Sequence, residues 1–355
     1  MDADAFAERV FGSLMGSMEI ASIYLGDRLG LYRALGQADG ALTSAELGER
    51  AGVAERYARE WLEQQAAIGY LTVEDAAAEP GDRRFSLPAE HAAVLVDKDS
   101  PTYLAGAARM FSASMRVMPE LLEAYRTGGG VGWSRFGDDM IEGQADTNRP
   151  LFLSTLGREW LAKVDGVHDA LAGGGRVADV GCGFGWSSIA IALAYPEATV
   201  HGFDPDEASI DAARRNAAEV GVDDRVTFIE GDAADADPGD GYDLAIACEC
   251  IHDMPNPVPV LAAMRRLVAD RGTVVVIDEA ADEAFSAPGS DLDRALYGYS
   301  LLVCLPDGMA HEGSVGTGTV IRPATMRRYA EEAGFAGTEV LPIEHEQFRV
   351  YRLVG

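Results

Sequence analysis

The chain has 355 residues, enough for two or three domains that each bury a core. It is 48% hydrophobic with a mean hydropathy of -0.03. No run approaches the roughly 18 apolar residues of a membrane-spanning helix, so a soluble globular protein is expected. Its 58 acidic against 29 basic residues give a formal net charge of -29, a field that repels nucleic acid and anionic membranes wherever no basic patch overcomes it.

The opening, Met1-Asp2-Ala3-Asp4, is acidic where a signal peptide is basic, and a cytoplasmic location is expected. Apolar residues at helical spacing predict helices over 6–14 and 20–29, and Thr43-Ser44-x-Glu46-Leu47 opens a short helix after a turn at Gly40. A further helix over 53–68 shows Tyr57, Leu62 and Ile68 on an apolar stripe. Residues 70–73 and 84–87 then read as a hairpin around Pro80-Gly81-Asp82.

Helix, turn, helix and wing together have the outline of a winged-helix module over 1–98, which raises a DNA-binding reading. Residues 1–90, however, hold 8 arginines and no lysine against 16 acidic residues. The candidate recognition helix sets Glu55, Glu60 and Glu63 beside Arg56 and Arg59. Phosphate contacts would pass through a net negative surface, so a homodimer built on the apolar stripe is expected and no nucleic-acid partner.

Residues 99–175 read as a helical linker and lid region. A helical pattern over 103–125 meets a boundary at Pro119, and Gly128-Gly129-Gly130 leads to Trp133. Another helical pattern over 151–171 ends before Gly173-Gly174-Gly175. A packed linker and a lid both remain open: the glycines permit movement, and Trp133 is large enough to shield a bound small molecule.

After Gly175 strands and helices alternate. Strands are expected over 176–180, 199–203, 226–230, 242–247 and 273–277, with helices over 185–194, 206–221 and 258–268 between them. A helix over 324–333 and two strands over 337–343 and 347–354 close the chain, after an insertion at about 285–320. The class is α/β, with a doubly wound, mostly parallel seven-stranded sheet over 176–355 behind the helical front.

The strand over 176–180 carries Asp179 near its end and gives way to Gly181-Cys182-Gly183-Phe184-Gly185, and a helix follows. Glycines let a ligand approach the backbone, and Asp179 adds negative charge where a pyrophosphate would need none. The spacing is GxGxG rather than GxGxxG, so the implied ligand is a nucleoside carrying a cationic group. Asp204 closes the next strand, where a carboxylate can accept both ribose hydroxyls. Asp232 follows the third, where it and an adjacent backbone N–H can pair with an adenine edge. Taken singly each acid suits a helix cap or a turn, but three at successive strand ends of one sheet point to a ligand.

On these motifs residues 176–355 resemble the Rossmann-like class I S-adenosylmethionine-dependent methyltransferases. With its front included, the chain resembles bacterial small-molecule O-methyltransferases of the plant-type architecture, and more closely a group with an Rv2258c-like winged-helix domain. The resemblance implies S-adenosyl-L-methionine as cofactor, held by Asp179, Gly181, Gly183 and Gly185, by Asp204, and by Asp232 with Ala233. Glu249 is a further polar contact. Asn148-Arg149-Pro150-x-Phe152 is similar to the segment that in such relatives runs over the methionine end of the cofactor.

Methyl transfer needs a nucleophile about 3 Å from the methyl carbon and, for a hydroxyl, a base. The fourth strand leads into Cys248-Glu249-Cys250-Ile251-His252-Asp253-Met254, where the plant-type relatives carry His-Asp-Trp. The resemblance implies His252 as the base, with Met254 in place of the aromatic residue. Glu279, after the fifth strand, is the candidate for the acid that orients it, a solvated strand end being the alternative for Asp278 and Glu279. The insertion would wall an acceptor pocket, with His311 as a second candidate base. No His-x-x-His, paired-carboxylate or cysteine cluster marks a metal, and none is expected. The expected function is methylation of a hydroxyl on a small aromatic or polyketide-like metabolite. N- or C-methylation, a cofactor-binding regulator and a non-methylating enzyme are the alternatives.

Overall fold

Asp2 caps the first helix by accepting the Ala5 N–H at 2.9 Å, and the helix then runs unbroken over Ala3–Arg28. This joins the two helices expected over 6–14 and 20–29. A Cβ at Gly12 or Gly16 would meet nothing within 4 Å, so neither glycine marks a bend or a close approach. The computed structural model describes residues 1–268 and 272–355 with their side chains. They form two compact units, residues 1–115 with 138–150, and residues 116–137 with 151–355. The middle region expected over 99–175 is therefore divided between the two.

In the first unit Thr43 and Glu46 cap the helix Ser44–Ala51 reciprocally, and the helix Glu55–Ala67 follows it. The wing is a ladder of two residues per strand, Thr72–Val73 against Phe85–Ser86. Its core gathers Leu31, Tyr32, Leu47, Leu62 and Phe85, with Tyr32 edge-on to Trp61 at 4.9 Å. Arg56 pairs with Glu60, and Arg59 with Glu55 at 3.4 Å, so both arginines of the candidate recognition helix are engaged within it. Arg109 is buried and pairs with Asp27 and Asp146, joining the first helix to the helices Ala105–Arg116 and Asp138–Leu151. Gln144 to Pro150 thus belongs to a regular helix.

The second unit carries a seven-stranded sheet: β1 (Arg176–Val180), β2 (Thr199–Asp204), β3 (Val226–Glu230), β4 (Tyr242–Cys248), β5 (Val268–Glu279), β6 (Gly337–Val340) and β7 (Phe348–Val354). Their order is β3-β2-β1-β4-β5-β7-β6. The first five are parallel, and β7 runs antiparallel between β5 and β6. The order reverses beside β1, so the ends of β1 and β4 border the crevice where such sheets bind ligands. Apolar side chains on both faces bury the sheet, with Val177, Ala178, Leu244, Ile246, Val275 and Ile277 fully enclosed.

The insertion after β5 is a helix over Asp291–Tyr299 that continues through wider turns over Ser300–Cys304 into Leu305–Met309. The glycine stretch before Trp133 lies directly on it. A Cβ on Gly130 would stand 2.1 Å from Ala310 N, the Val131 N–H donates to Pro306 O at 2.9 Å, and the Trp133 N–H donates to Asp307 Oδ1 at 2.7 Å. Here glycine serves close backbone packing. Among the described residues no helix is long and apolar enough to cross a membrane.

Candidate active site

Asp179 is the penultimate residue of β1 and is fully enclosed. Its Oδ2 accepts from Ser187 and Ser188, each at 2.6 Å, while Oδ1 is buried with no partner. Burial, opposed by the two serines, lifts its carboxyl to about 6. An orphan oxygen of this kind is costly unless a ligand supplies the missing donor. The turn that follows places Gly181, Gly183 and Gly185 at φ of 72°, 49° and 79°. At Gly185 a Cβ would also stand 2.4 Å from the ring of Phe228, so the helix Trp186–Ala194 can start there only from a glycine.

Asp204 ends β2 and braces that turn. Oδ2 accepts the Gly183 N–H at 2.9 Å and Oδ1 the Asp206 N–H at 3.0 Å. Burial raises its pKa, with these two backbone bonds opposing. A carboxylate has about four acceptor sites, so capacity for a pair of hydroxyls remains. Asp232 is exposed and caps the turn Ala233–Asp235 through the Ala234 N–H at 2.8 Å. It therefore does fill the cap role, while Ala233 beside it is buried. Glu249 follows β4 with φ 51°, the only non-glycine residue with positive φ among those described. This backbone conformation is costly for a side-chain-bearing residue and is found most often at functional sites.

His252 sits on the turn after β4 and is 5% exposed. Its Nδ1 meets Asp278 Oδ1 at 2.6 Å, and its Nε2 lies 3.2 Å from Asp253 Oδ1, an ion-pair distance without hydrogen-bond geometry. Burial pulls the ring's pKa down, but Asp253 and Asp278 outweigh it and hold it well above the ordinary value. The acid that meets the ring is thus Asp278, not Glu279 as the sequence suggested. Successive strand residues point to opposite faces, and Asp278, with 0% exposure, is the one on the histidine's side. Its Oδ1 also accepts the Glu279 N–H at 2.9 Å. Nor is it a solvated strand end.

Glu279 stands close by. Burial and the charges of Asp278 and Asp253, opposed by His252, push its carboxyl to about 8. The insertion helix contributes Cys304 and Tyr299, and Asp307, whose carboxyl burial and the Asp253 charge push to about 7. Sequence spacing gave no sign of Cys304 or Asp307, since only the fold of the insertion brings them to the end of β4. His311 is exposed, two residues beyond the end of that helix.

The residues at the ends of β1 and β2 fit S-adenosylmethionine: an unpartnered buried carboxylate oxygen for a cationic group, a side-chain-free turn, and a braced acid with acceptor capacity left. Family descriptions match in two places, a methyltransferase domain over residues 171–304 and an Rv2258c-like winged HTH domain over residues 18–97. A ubiquinone biosynthesis O-methyltransferase of Thiobacillus denitrificans is 33% identical over 186 residues, spanning 51% of this chain and 73% of that protein. A 27-O-demethylrifamycin SV methyltransferase of Amycolatopsis mediterranei is 27% identical over 192 residues, spanning 51% and 70%. Among solved structures, that of mitomycin 7-O-methyltransferase superposes with a TM-score of 0.74 over 99% of this chain and 98% of its own, at 21% identity. The chain therefore belongs to the class I S-adenosylmethionine-dependent methyltransferases, with an Rv2258c-like winged-helix domain at its front and S-adenosylmethionine as its cofactor.

Proposed function

We propose that the chain methylates a hydroxyl of a small aromatic or polyketide-like metabolite, with His252 as the base. The observation that carries this is the buried His252–Asp278 pair at the ends of β4 and β5, beside the strand that ends in the glycine turn. The O-methyltransferase relatives above support the choice of a hydroxyl.

S-adenosylmethionine, when bound, supplies a methyl group on a sulfonium, open to in-line displacement. Asp179 Oδ1 would receive its ammonium group, Asp204 its ribose hydroxyls, and Asp232 with the Ala233 N–H its adenine edge. Gly181, Gly183 and Gly185 keep side chains clear of it, and Glu249 adds a polar contact.

On the acceptor side Asp278 holds Nδ1–H, which leaves Nε2 as the basic atom of His252. As the acceptor oxygen attacks, its proton passes to Nε2, and the imidazolium so formed lies between Asp278 and Asp253. The same carboxylates strengthen the base and hold its pKa up, so transfer rises with pH as the ring loses its proton. Glu279, whose carboxyl burial and the neighbouring Asp278 and Asp253 charges push up, offers a hydrogen bond to the acceptor in its protonated form.

An amine acceptor is the second reading, favoured by the charge of Asp253, which acts on both Glu279 and Asp307. Incubation with S-adenosylmethionine labelled in its methyl group and a panel of phenols, hydroxyquinones and aromatic amines separates the two. Label in an ether of the phenols supports the first reading, and label on nitrogen alone refutes it.

In the proposed division of labour, residues 1–98 assemble a homodimer, 99–175 serve as a helical linker and lid region, and 176–355 bind cofactor. The first helix supports the dimer, for Phe6, Val10, Phe11, Leu14 and Met18 are exposed along it, Phe11 by 61% and Met18 by 60%. The enzyme would act in the cytoplasm on free metabolites and not on nucleic acid.

A further inference from the structure

Asp253 lies on the turn after β4, and Cys304 lies within the insertion helix. Yet the ligand atoms of His252, Asp253 and Cys304 all fall within 4.8 Å of one another. The distance from His252 Nε2 to Asp253 Oδ1 is 3.2 Å. That is close to the edge, about 3.3 Å, of a tetrahedron whose nitrogen and oxygen ligands stand about 2.0 Å from a central Zn²⁺. Asp253 Oδ1 is buried, and the groups that face it are the two other members of the cluster, His252 Nε2 by an ion pair and Cys304 through its thiol.

Behind the ring, Asp278 Oδ1 engages Nδ1 at 2.6 Å. This is the carboxylate–histidine arrangement that fixes the tautomer of a metal-binding imidazole and turns the other nitrogen toward the ion. The ligand-bearing segments are also held together. One turn beyond Cys304, the backbone comes so near that a Cβ on Gly308 would stand 3.3 Å from Asp253 O.

We propose that His252 Nε2, Asp253 Oδ1 and Cys304 Sγ form a site for a thiophilic divalent cation of the Zn²⁺ class, with a fourth position open to water. One nitrogen, one oxygen and one sulfur donor suit zinc and exclude the all-oxygen preference of Mg²⁺ or Ca²⁺. A thiolate, a carboxylate and a neutral imidazole around Zn²⁺ sum to zero charge, which suits an enclosed place. Binding releases a proton from Nε2 and one from the thiol. The cation and the acceptor's proton therefore compete for the same nitrogen, and the metal acts as an inhibitor of methyl transfer, not as a reagent in it. The site goes beyond the proposed reaction, which is read on metal-free enzyme.

The test titrates the metal-stripped full chain with Zn²⁺, and with Co²⁺, whose thiolate complexes show a near-ultraviolet charge-transfer band. One tight equivalent per chain and the thiolate band are expected. Cys304→Ser removes the band and weakens binding at least about tenfold. Asp278→Asn keeps all three ligands and weakens binding about 10- to 100-fold, the usual effect of losing such a carboxylate. Affinity for S-adenosylhomocysteine reports that each variant is folded; if Cys304→Ser is not, the wild-type cobalt spectrum decides alone. Cobalt bound without a thiolate band, or tight zinc retained by a folded Cys304→Ser, overturns the site and assigns the metal to other carboxylates. Absence of a tight equivalent also overturns it and leaves the methyl-transfer reading standing.

Discussion

Replacing Asp278 by Asn isolates the electrostatic part of the His252 environment. Asn keeps the shape and one acceptor oxygen for Nδ1–H but removes a fully buried negative charge 2.6 Å from the ring. A buried hydrogen bond to a charged group is worth about 1.5–3 kcal/mol, so the ring's proton affinity should fall roughly 10- to 100-fold. The direction follows from the charge: with Asp278 present the ring titrates well above its ordinary value, and with Asn it titrates at lower pH. The chain has 6 histidines, few enough to follow individually by NMR with imidazole labelling, the His252 signal being assigned by its loss in His252→Gln. Affinity for S-adenosylhomocysteine should stay within about twofold, since the hydrogen bonds of Asp278 go to His252 and the Glu279 N–H. A wild-type ring titrating at or below about 6.5, the ordinary histidine value, would refute the reasoning, as would a titration that Asp278→Asn leaves unmoved.

Asp204→Ala should weaken cofactor binding in calorimetry by about 1.5–3 kcal/mol for lost charge-assisted hydrogen bonds; tight binding of NAD with no response to S-adenosylmethionine would contradict the site. Because Asp179 titrates near 6 in the free protein and its ionised form is the one that pairs with an ammonium group, cofactor affinity should fall as pH drops below about 6, by up to about tenfold per pH unit. Affinity flat between pH 5 and 7.5 would remove Asp179 from cofactor recognition. Phe11→Glu with Met18→Glu should convert a dimer into a monomer in light scattering without lowering Tm by more than a few degrees, both side chains being exposed. A dimer that persists places the interface elsewhere.

The alternating strands of residues 176–355 were legible because short apolar runs and stop glycines punctuate them, and the three acids at their ends are spaced by the alternation of strand and helix. The first helix was harder. Helices were expected over 6–14 and 20–29, but the stretch between them, which holds Gly16, is helical too, since an exposed helix tolerates a glycine at modest cost. Asp278 and Glu279 are neighbours whose roles depend on which face of β5 each occupies, and the strand's phase at its last residues is not a property of composition. Cys304 and Asp307 carry no local signal at all; the insertion helix brings Cys304 to His252 and Asp307 into the field of Asp253 from a remote part of the chain. The glycines before Trp133 allow either a flap or a close backbone contact, and only the packing on Pro306 and Ala310 distinguishes them.

The most direct test of the account is single-turnover methyl transfer by His252→Ala, using the acceptor that the labelling panel identifies. Binding of S-adenosylhomocysteine should stay within about twofold of wild type, while transfer falls by roughly 10²- to 10⁴-fold, the usual worth of a positioned base. Wild-type transfer should rise with pH as the ring of His252 deprotonates, and the variant should lose that rise. Near-normal transfer by a variant that still binds the cofactor product would contradict the central claim that His252 takes the acceptor's proton.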